Sequence, residues 1–193
     1  MRRYKNTPLH PQTFINAPSH VMLGIVNTID QGTMRVIRVL FVCTGNICRS
    51  PTADGVFAHM VAQAGLSARI DVDSCGTTSY HIGDPTDRRA IKEARRRGYD
   101  LSHLRARQLV ANDYDTFDYL IAMDDGHLDI LQRSCPENRM DRIKLFLDFH
   151  PARRGQSVPD PYYGGADGFS HVLDLIEDTS QNLLEYLRNH HEL

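Results

Sequence analysis

Short apolar runs and helical stripes alternate along most of the chain. Residues 36–42 are apolar except for Arg38, the mark of a strand buried on both faces. A helical stripe follows over residues 51–64. There Ala53, Val56, Phe57, Met60, Val61 and Ala64 recur at three- and four-residue steps, and Gly65 marks the stop. Residues 70–74 alternate and predict a second strand. Residues 87–97 predict a helix ended by Gly98. A third strand is expected at 119–123, a short helix at 125–133 and a fourth strand at 143–147. Residues 166–189 predict a long amphipathic helix with Phe169, Val172, Leu173, Ile176, Leu183, Leu184 and Leu187 facing inward. Strands separated by helices predict a single α/β domain, a four-stranded parallel sheet with helices on both faces. Ligands bind such sheets beyond the carboxyl ends of the strands.

Composition narrows this picture. The chain has 193 residues and 41% hydrophobic content, which suits one domain. A net charge of −2 gives no sign of a nucleic-acid surface. No apolar run is long enough to span a membrane, so no membrane partner is expected. The four cysteines, Cys43, Cys48, Cys75 and Cys135, match neither a zinc-ligand spacing nor a compact disulfide framework. No metal site and no cofactor are expected. The ten histidines form no HExxH motif, and most read as surface or loop residues. Residues 1–34 hold three prolines, little periodicity and one acidic residue, Asp30. They read as an N-terminal extension without a catalytic role, and Met34 stands as a candidate alternative start. The domain proper is expected over residues 35–193, in a cytoplasmic protein.

The chemistry concentrates in CTGNICRS, residues 43–50, where the first apolar run meets the first helical stripe. Successive backbone N–H groups in a tight loop form an anion-binding nest, and the following helix N-terminus adds free donors and a favourable dipole. Arg49 adds a planar fork that grips two oxygens and stays charged. Cys43 sits at the floor of that positive field, which favours the reactive thiolate. Gly45 permits close backbone approach, and Asn46 tolerates left-handed geometry and braces the loop. Ser50 reads as a helix cap whose hydroxyl reaches the thiol, and Pro51 suits the first helical position.

CTGNICRS resembles the phosphate loop of the low-molecular-weight protein tyrosine phosphatase family. A second motif, DPYY at residues 160–163, resembles that family's general-acid motif. The resemblance runs from about Val36 into the final helix. It implies a phosphate loop at the C-terminal end of the first strand, with Cys43 as nucleophile, Arg49 as phosphate clamp and Asp160 as general acid and base. It implies metal-independent hydrolysis of protein phosphotyrosine through a phosphocysteine intermediate, with inorganic phosphate as product and inhibitor. The expected partners are tyrosine-phosphorylated proteins or peptides, and the expected state is a monomer or weak dimer. Thr44, Gly45, Asn46, Ile47, Cys48 and Ser50 would complete the phosphate site. Tyr80, Tyr162 and Tyr163 would wall a slot deep enough for phosphotyrosine, with Ile47 as an apolar wall from within the loop.

Three other readings stay open on this fold. Protein arginine phosphatases resemble CTGNTCRS, with Thr where this chain has Ile47. Thioredoxin-coupled arsenate reductases need two closely spaced further cysteines, which Cys75 and Cys135 do not match. A non-catalytic phosphate-binding module would not need Cys43, Arg49 and Asp160 together. The resemblance also implies that Cys48 can close a reversible disulfide with Cys43 under oxidation. Asp124 is expected to brace the phosphate loop. His103 is one position from the family's histidine and takes no role. The basic run Arg88, Arg89, Lys92, Arg95, Arg96 and Arg97 reads first as a solvated helix face, and otherwise as a patch attracting acidic phosphopeptides. Residues 35–193 carry 19 basic against 23 acidic side chains, so any steering would be local.

Overall fold

The computed structural model describes residues 35–162 and 167–193; the expected extension, residues 1–34, and Tyr163 lie outside the described residues. Four strands form one sheet in the order β2-β1-β3-β4: β1 Ile37–Cys43, β2 Ile70–Gly76, β3 Tyr119–Ala122 and β4 Ile143–Leu145. Every pairing is parallel, as the alternation of strands and helices predicted. The helices are α1 Arg49–Gln63, α2 Arg88–Arg96, α3 Asp113–Thr116, α4 Asp125–Ser134 and α5 Gly168–His191.

β1 is central because both of its faces are apolar. Val39, Phe41 and Cys43 point into a core shared with α1 and α5, while Leu40 and Val42 point into a second core under α3 and α4. Phe41 is fully buried between Phe57 and Phe146, edge to face at 5.8 Å and 5.6 Å. Truncating such a side chain costs about 3–5 kcal/mol.

Parallel pairing brings all the strand C-termini to one edge. Cys43 stands opposite Gly76, and Val42 opposite both Cys75 and Ala122. The chain returns to that edge after β4, where the Val158 N–H donates to the Met123 carbonyl at 2.8 Å. This last strap carries residue 160 to the end of β1.

Several expected boundaries shift. α1 begins at Arg49 rather than residue 51, because the Cys48 carbonyl already accepts from the Thr52 N–H at 3.2 Å and the Thr52 hydroxyl at 2.7 Å. Ser50 therefore lies inside the first turn and does not cap it, and Pro51 is the third helical residue. The fourth strand stops at Leu145, and Phe146–Phe149 turn into a 3-10 segment. Phe146 and Leu147 stay buried there without ladder partners. The four-residue α3 carries too short a pattern to be read from periodicity.

Candidate active site

Cys43 is the last residue of β1 and only 3% exposed. Residues 44–48 arch over the strand end. Asn46 takes a left-handed φ of 56° there, a conformation that asparagine tolerates better than most side chains. Its amide binds on both sides of the loop. Nδ2 donates to Ser50 Oγ at 2.9 Å, and Oδ1 accepts from the Arg107 N–H at 2.9 Å. Gly76 lies directly beneath, and a Cβ there would meet the Thr44 carbonyl oxygen at 2.8 Å and Gly45 C at 3.0 Å. The arch fits only because β2 ends in glycine. Among the described residues, nothing accepts from the N–H groups of residues 44–48. Five donors thus stand ready for an anion.

Ser50 Oγ lies 3.0 Å from Cys43 Sγ and 3.3 Å from the Cys75 carbonyl. A single hydroxyl can serve either sulfur state. Toward a thiol it accepts and donates onward to Cys75; toward a thiolate it turns and donates to sulfur.

Arg49 is 4% exposed, and three acceptors aim its fork. Nη1 donates to Asp124 Oδ2 at 2.6 Å and to the Val158 carbonyl at 3.2 Å, while Nη2 reaches Asp160 Oδ2 at 3.2 Å. Asp124 also caps α4, accepting from the His127 N–H at 2.9 Å. The His127 ring is buried. Its Nδ1 lies 2.8 Å from Asp124 Oδ1, a close approach without the alignment of a hydrogen bond. Its Nε2 lies 2.8 Å from Thr44 Oγ1. Burial would raise the Asp124 carboxyl, but the His127 and Arg49 contacts outweigh it and hold it well below the usual carboxylate range.

These groups open onto a cavity of about 340 Å³ lined by Cys43, Thr44, Gly45, Ile47, Cys48, Arg49, Asp160, Tyr80 and Tyr162. Asn46 and Ser50 brace it from below. Sequence reading missed two further lining residues, Thr78 and His81. Thr78 donates twice to the Thr44 carbonyl, from N–H and hydroxyl, each at 3.0 Å. His81 pairs with Asp84 at 2.9 Å and packs over Gly45. Tyr162 is held from behind by Arg89, whose guanidinium lies 5.1 Å from the ring centre and donates to the Tyr162 carbonyl. Cys48 shares the cavity wall with Cys43. Burial first, then the nearby Asp87 carboxylate, push the Cys48 thiol up to about 12.

His127 is an exception among the histidines: it lies on α4 as a buried part of this network, away from surface and loop. Asp124 does brace Arg49, but through a helix cap and a histidine that no local motif announces. Among the described residues, no cluster of three or more His, Cys, Asp or Glu could hold a metal ion. No helix among them is long and apolar enough to cross a membrane.

A parallel sheet carrying a cysteine, a donor-rich loop and an arginine at one strand end defines an oxyanion site built around a thiol. The model of the low molecular weight phosphotyrosine protein phosphatase family matches residues 38–193, and the chain belongs to that family. It is 43% identical over 150 residues to the low molecular weight phosphotyrosine protein phosphatase of Schizosaccharomyces pombe, covering 77% of this chain and 96% of that protein. Its fold is similar to the protein tyrosine phosphatase of Entamoeba histolytica, solved with Hepes in the active site. The TM-score is 0.77 at 39% identity, over 81% of this chain and 99% of that one. YfkJ of Bacillus subtilis is similar at TM-score 0.77 and 38% identity, over 82% and 99% of the two chains.

Proposed function

We propose that this chain hydrolyses protein phosphotyrosine without a metal ion, through a phosphocysteine intermediate formed on Cys43, with residues 35–193 as the catalytic domain and residues 1–34 outside the chemistry. The observation that carries the reading is the meeting of Cys43, Arg49 and Asp160 in one cavity whose loop N–H groups have no other described acceptor.

The phosphate dianion enters the loop and takes its N–H groups and the Arg49 fork. Phosphate oxygens then compete with Asp160 for Nη2, and the freed carboxyl turns toward the leaving oxygen. The Cys43 thiolate attacks phosphorus in line while Asp160 gives a proton to the departing phenolate. Ser50 donates to the sulfur before attack and again as it departs. Water then attacks the phosphocysteine, with Asp160 taking the proton, and inorganic phosphate leaves. Fixed donors carry the transition-state charge in both steps. Thr44, Gly45, Asn46, Ile47, Cys48 and Ser50 form the phosphate cradle. Tyr80, Tyr162 and Ile47 wall the aryl slot, and Tyr163 follows Tyr162 in the same motif. The Hepes sulfonate of the Entamoeba structure is a tetrahedral oxyanion and suits a cradle of this kind.

The test is steady-state hydrolysis of phosphotyrosine, phosphoserine and phosphoarginine peptides in the presence of a chelator. Wild type should turn over phosphotyrosine selectively. Cys43→Ser should lose activity by four orders of magnitude or more, and Asp160→Ala by roughly hundredfold or more in kcat. Preference for phosphoarginine would overturn the reading of Ile47 and the tyrosine walls. Phosphate binding without turnover would overturn catalysis itself.

A further inference from the structure

The basic helix α2 splits into two sets of side chains with different employment. Arg89 holds Asp87 and Tyr162. Arg97, just past its end, ties the helix to Asp174 and Glu177 of α5, and Arg96 pairs with Glu93. Arg88, Lys92 and Arg95 are exposed, and none has an ion-pair partner among the described residues. Asp100 feels Arg95 only from beyond ion-pair distance.

The three unemployed cations form a row. At 100° per residue they fall within about 60° of one another, over about 10.5 Å of helix axis. Like charges at i, i+4 weaken a helix, as Arg88 and Lys92 do here. Arg88 sits in the first turn, where the dipole disfavours cations and the Asp87 cap is the acidic neighbour; Arg95, in the last turn, suits the dipole. Helix stability therefore accounts for Arg95 but not for Arg88 and Lys92 in line with it. The position of the row suggests what does. The helix starts at the lip of the cavity, where the Asp87 N–H donates to the Ile47 carbonyl at 2.8 Å. The described domain carries a net negative charge, so the row is a local exception that would attract anions beside the cavity.

We propose that Arg88, Lys92 and Arg95 form a docking strip for acidic side chains on one flank of the phosphotyrosine, so that the preferred substrates are acidic phosphopeptide segments. The proposal rests on the phosphotyrosine reading above. About 10.5 Å of helix matches three residue steps of extended peptide at ~3.3 Å each, so a short run of Glu on one flank, with its long side chains, reaches along the row.

The experiment measures kcat/KM for four phosphotyrosine peptides: three Glu on the N-terminal flank, three Glu on the C-terminal flank, Ala on both, and Lys on both. Wild type is compared with the triple variant Arg88→Glu, Lys92→Glu, Arg95→Glu at low and high salt, with para-nitrophenyl phosphate as a control without flanks. One Glu-flanked peptide should be favoured about tenfold over the Ala peptide at low salt, the yield of three partly screened ion pairs. High salt and the triple variant should each erase that preference, and para-nitrophenyl phosphate turnover should stay within twofold. Equal rates on Glu- and Ala-flanked peptides, or a preference that survives in the variant, would overturn the strip while leaving the tyrosine phosphatase reading intact. Binding of wild type, but not the variant, to anionic vesicles without any peptide preference would assign the row to a membrane surface and overturn it too. Failure on every phosphotyrosine substrate would overturn the underlying function as well.

Discussion

The floor and the rim of the cavity are built on opposite principles. At the floor, Cys43, Asn46, Arg49 and Ser50 are buried and each is gripped by named partners. At the rim, Tyr80 is 84% exposed and Tyr162 is 42% exposed. A displaced donor at the floor costs charge stabilisation at the reacting phosphorus, so tolerance there is small. A changed side chain at the rim alters only contacts with a substrate's aryl group and flanks. On the proposed mechanism the chemistry is therefore the rigid part of the molecule and recognition the adjustable part.

Three substitutions probe that contrast, the largest effect first. Gly76→Ala places a methyl group against the Thr44 carbonyl and Gly45 backbone, neither of which can swing aside as a side-chain tip would. It should lower kcat by roughly hundredfold with little change in fold by circular dichroism, since misplacement by about 1 Å costs on that order. A kcat near wild type would mean the floor is softer than argued.

The second substitution lies behind the floor. Asp54, on α1, is 5% exposed and accepts from Ser74 Oγ at 2.9 Å. Burial first, offset in part by that hydrogen bond, pushes its carboxyl up to about 7. Between about pH 4 and 7 the folded state keeps a proton that the unfolded chain has lost, so stability from this group falls as pH rises. Asp54→Asn keeps the Ser74 bond and removes the titration. Relative to wild type it should gain stability across that window, by up to about 4 kcal/mol at pH 8. Denaturant melts at pH 4, 6 and 8 check this, and a constant difference would remove Asp54 as a titrating group.

The smallest effect is expected at the rim. Tyr80→Ala should raise KM for a phosphotyrosine peptide by roughly twofold to fivefold with kcat unchanged, because one exposed aromatic wall contributes binding without touching phosphorus. A fall in kcat would show that the rim positions the reacting group.

Legibility in the sequence follows the same division. The floor could be read because Cys43, the loop and Arg49 occupy seven consecutive residues whose chemistry explains their spacing. The four strands could be read because three are short apolar runs and β2 alternates, and their parallel pairing followed from the intervening helices. Long-range contacts could not be read. Thr44 and His127 meet across 83 positions. Asn46 and Arg107 meet across 61. Only tertiary packing brings such pairs together. Ser50 was legible in one of its two roles: its hydroxyl does reach Cys43, but the cap that serine before proline suggests is lost because α1 already starts at Arg49. The 3-10 turn after β4 was hidden because Phe146 and Leu147 are as buried as strand residues would be.

The strap that carries Asp160 to Arg49 has a consequence for the chain's synthesis. Arg49 and its partner lie 111 positions apart. A ribosome adding 5–20 residues per second needs roughly 5–20 s to make the second after the first. Through that interval the nascent chain holds its thiol and its arginine but lacks its proton donor, and the residues that shape the loop, Gly76, Arg107 and Asp124, arrive one after another. On the proposed mechanism, activity begins only as the last sixth of the polypeptide leaves the tunnel.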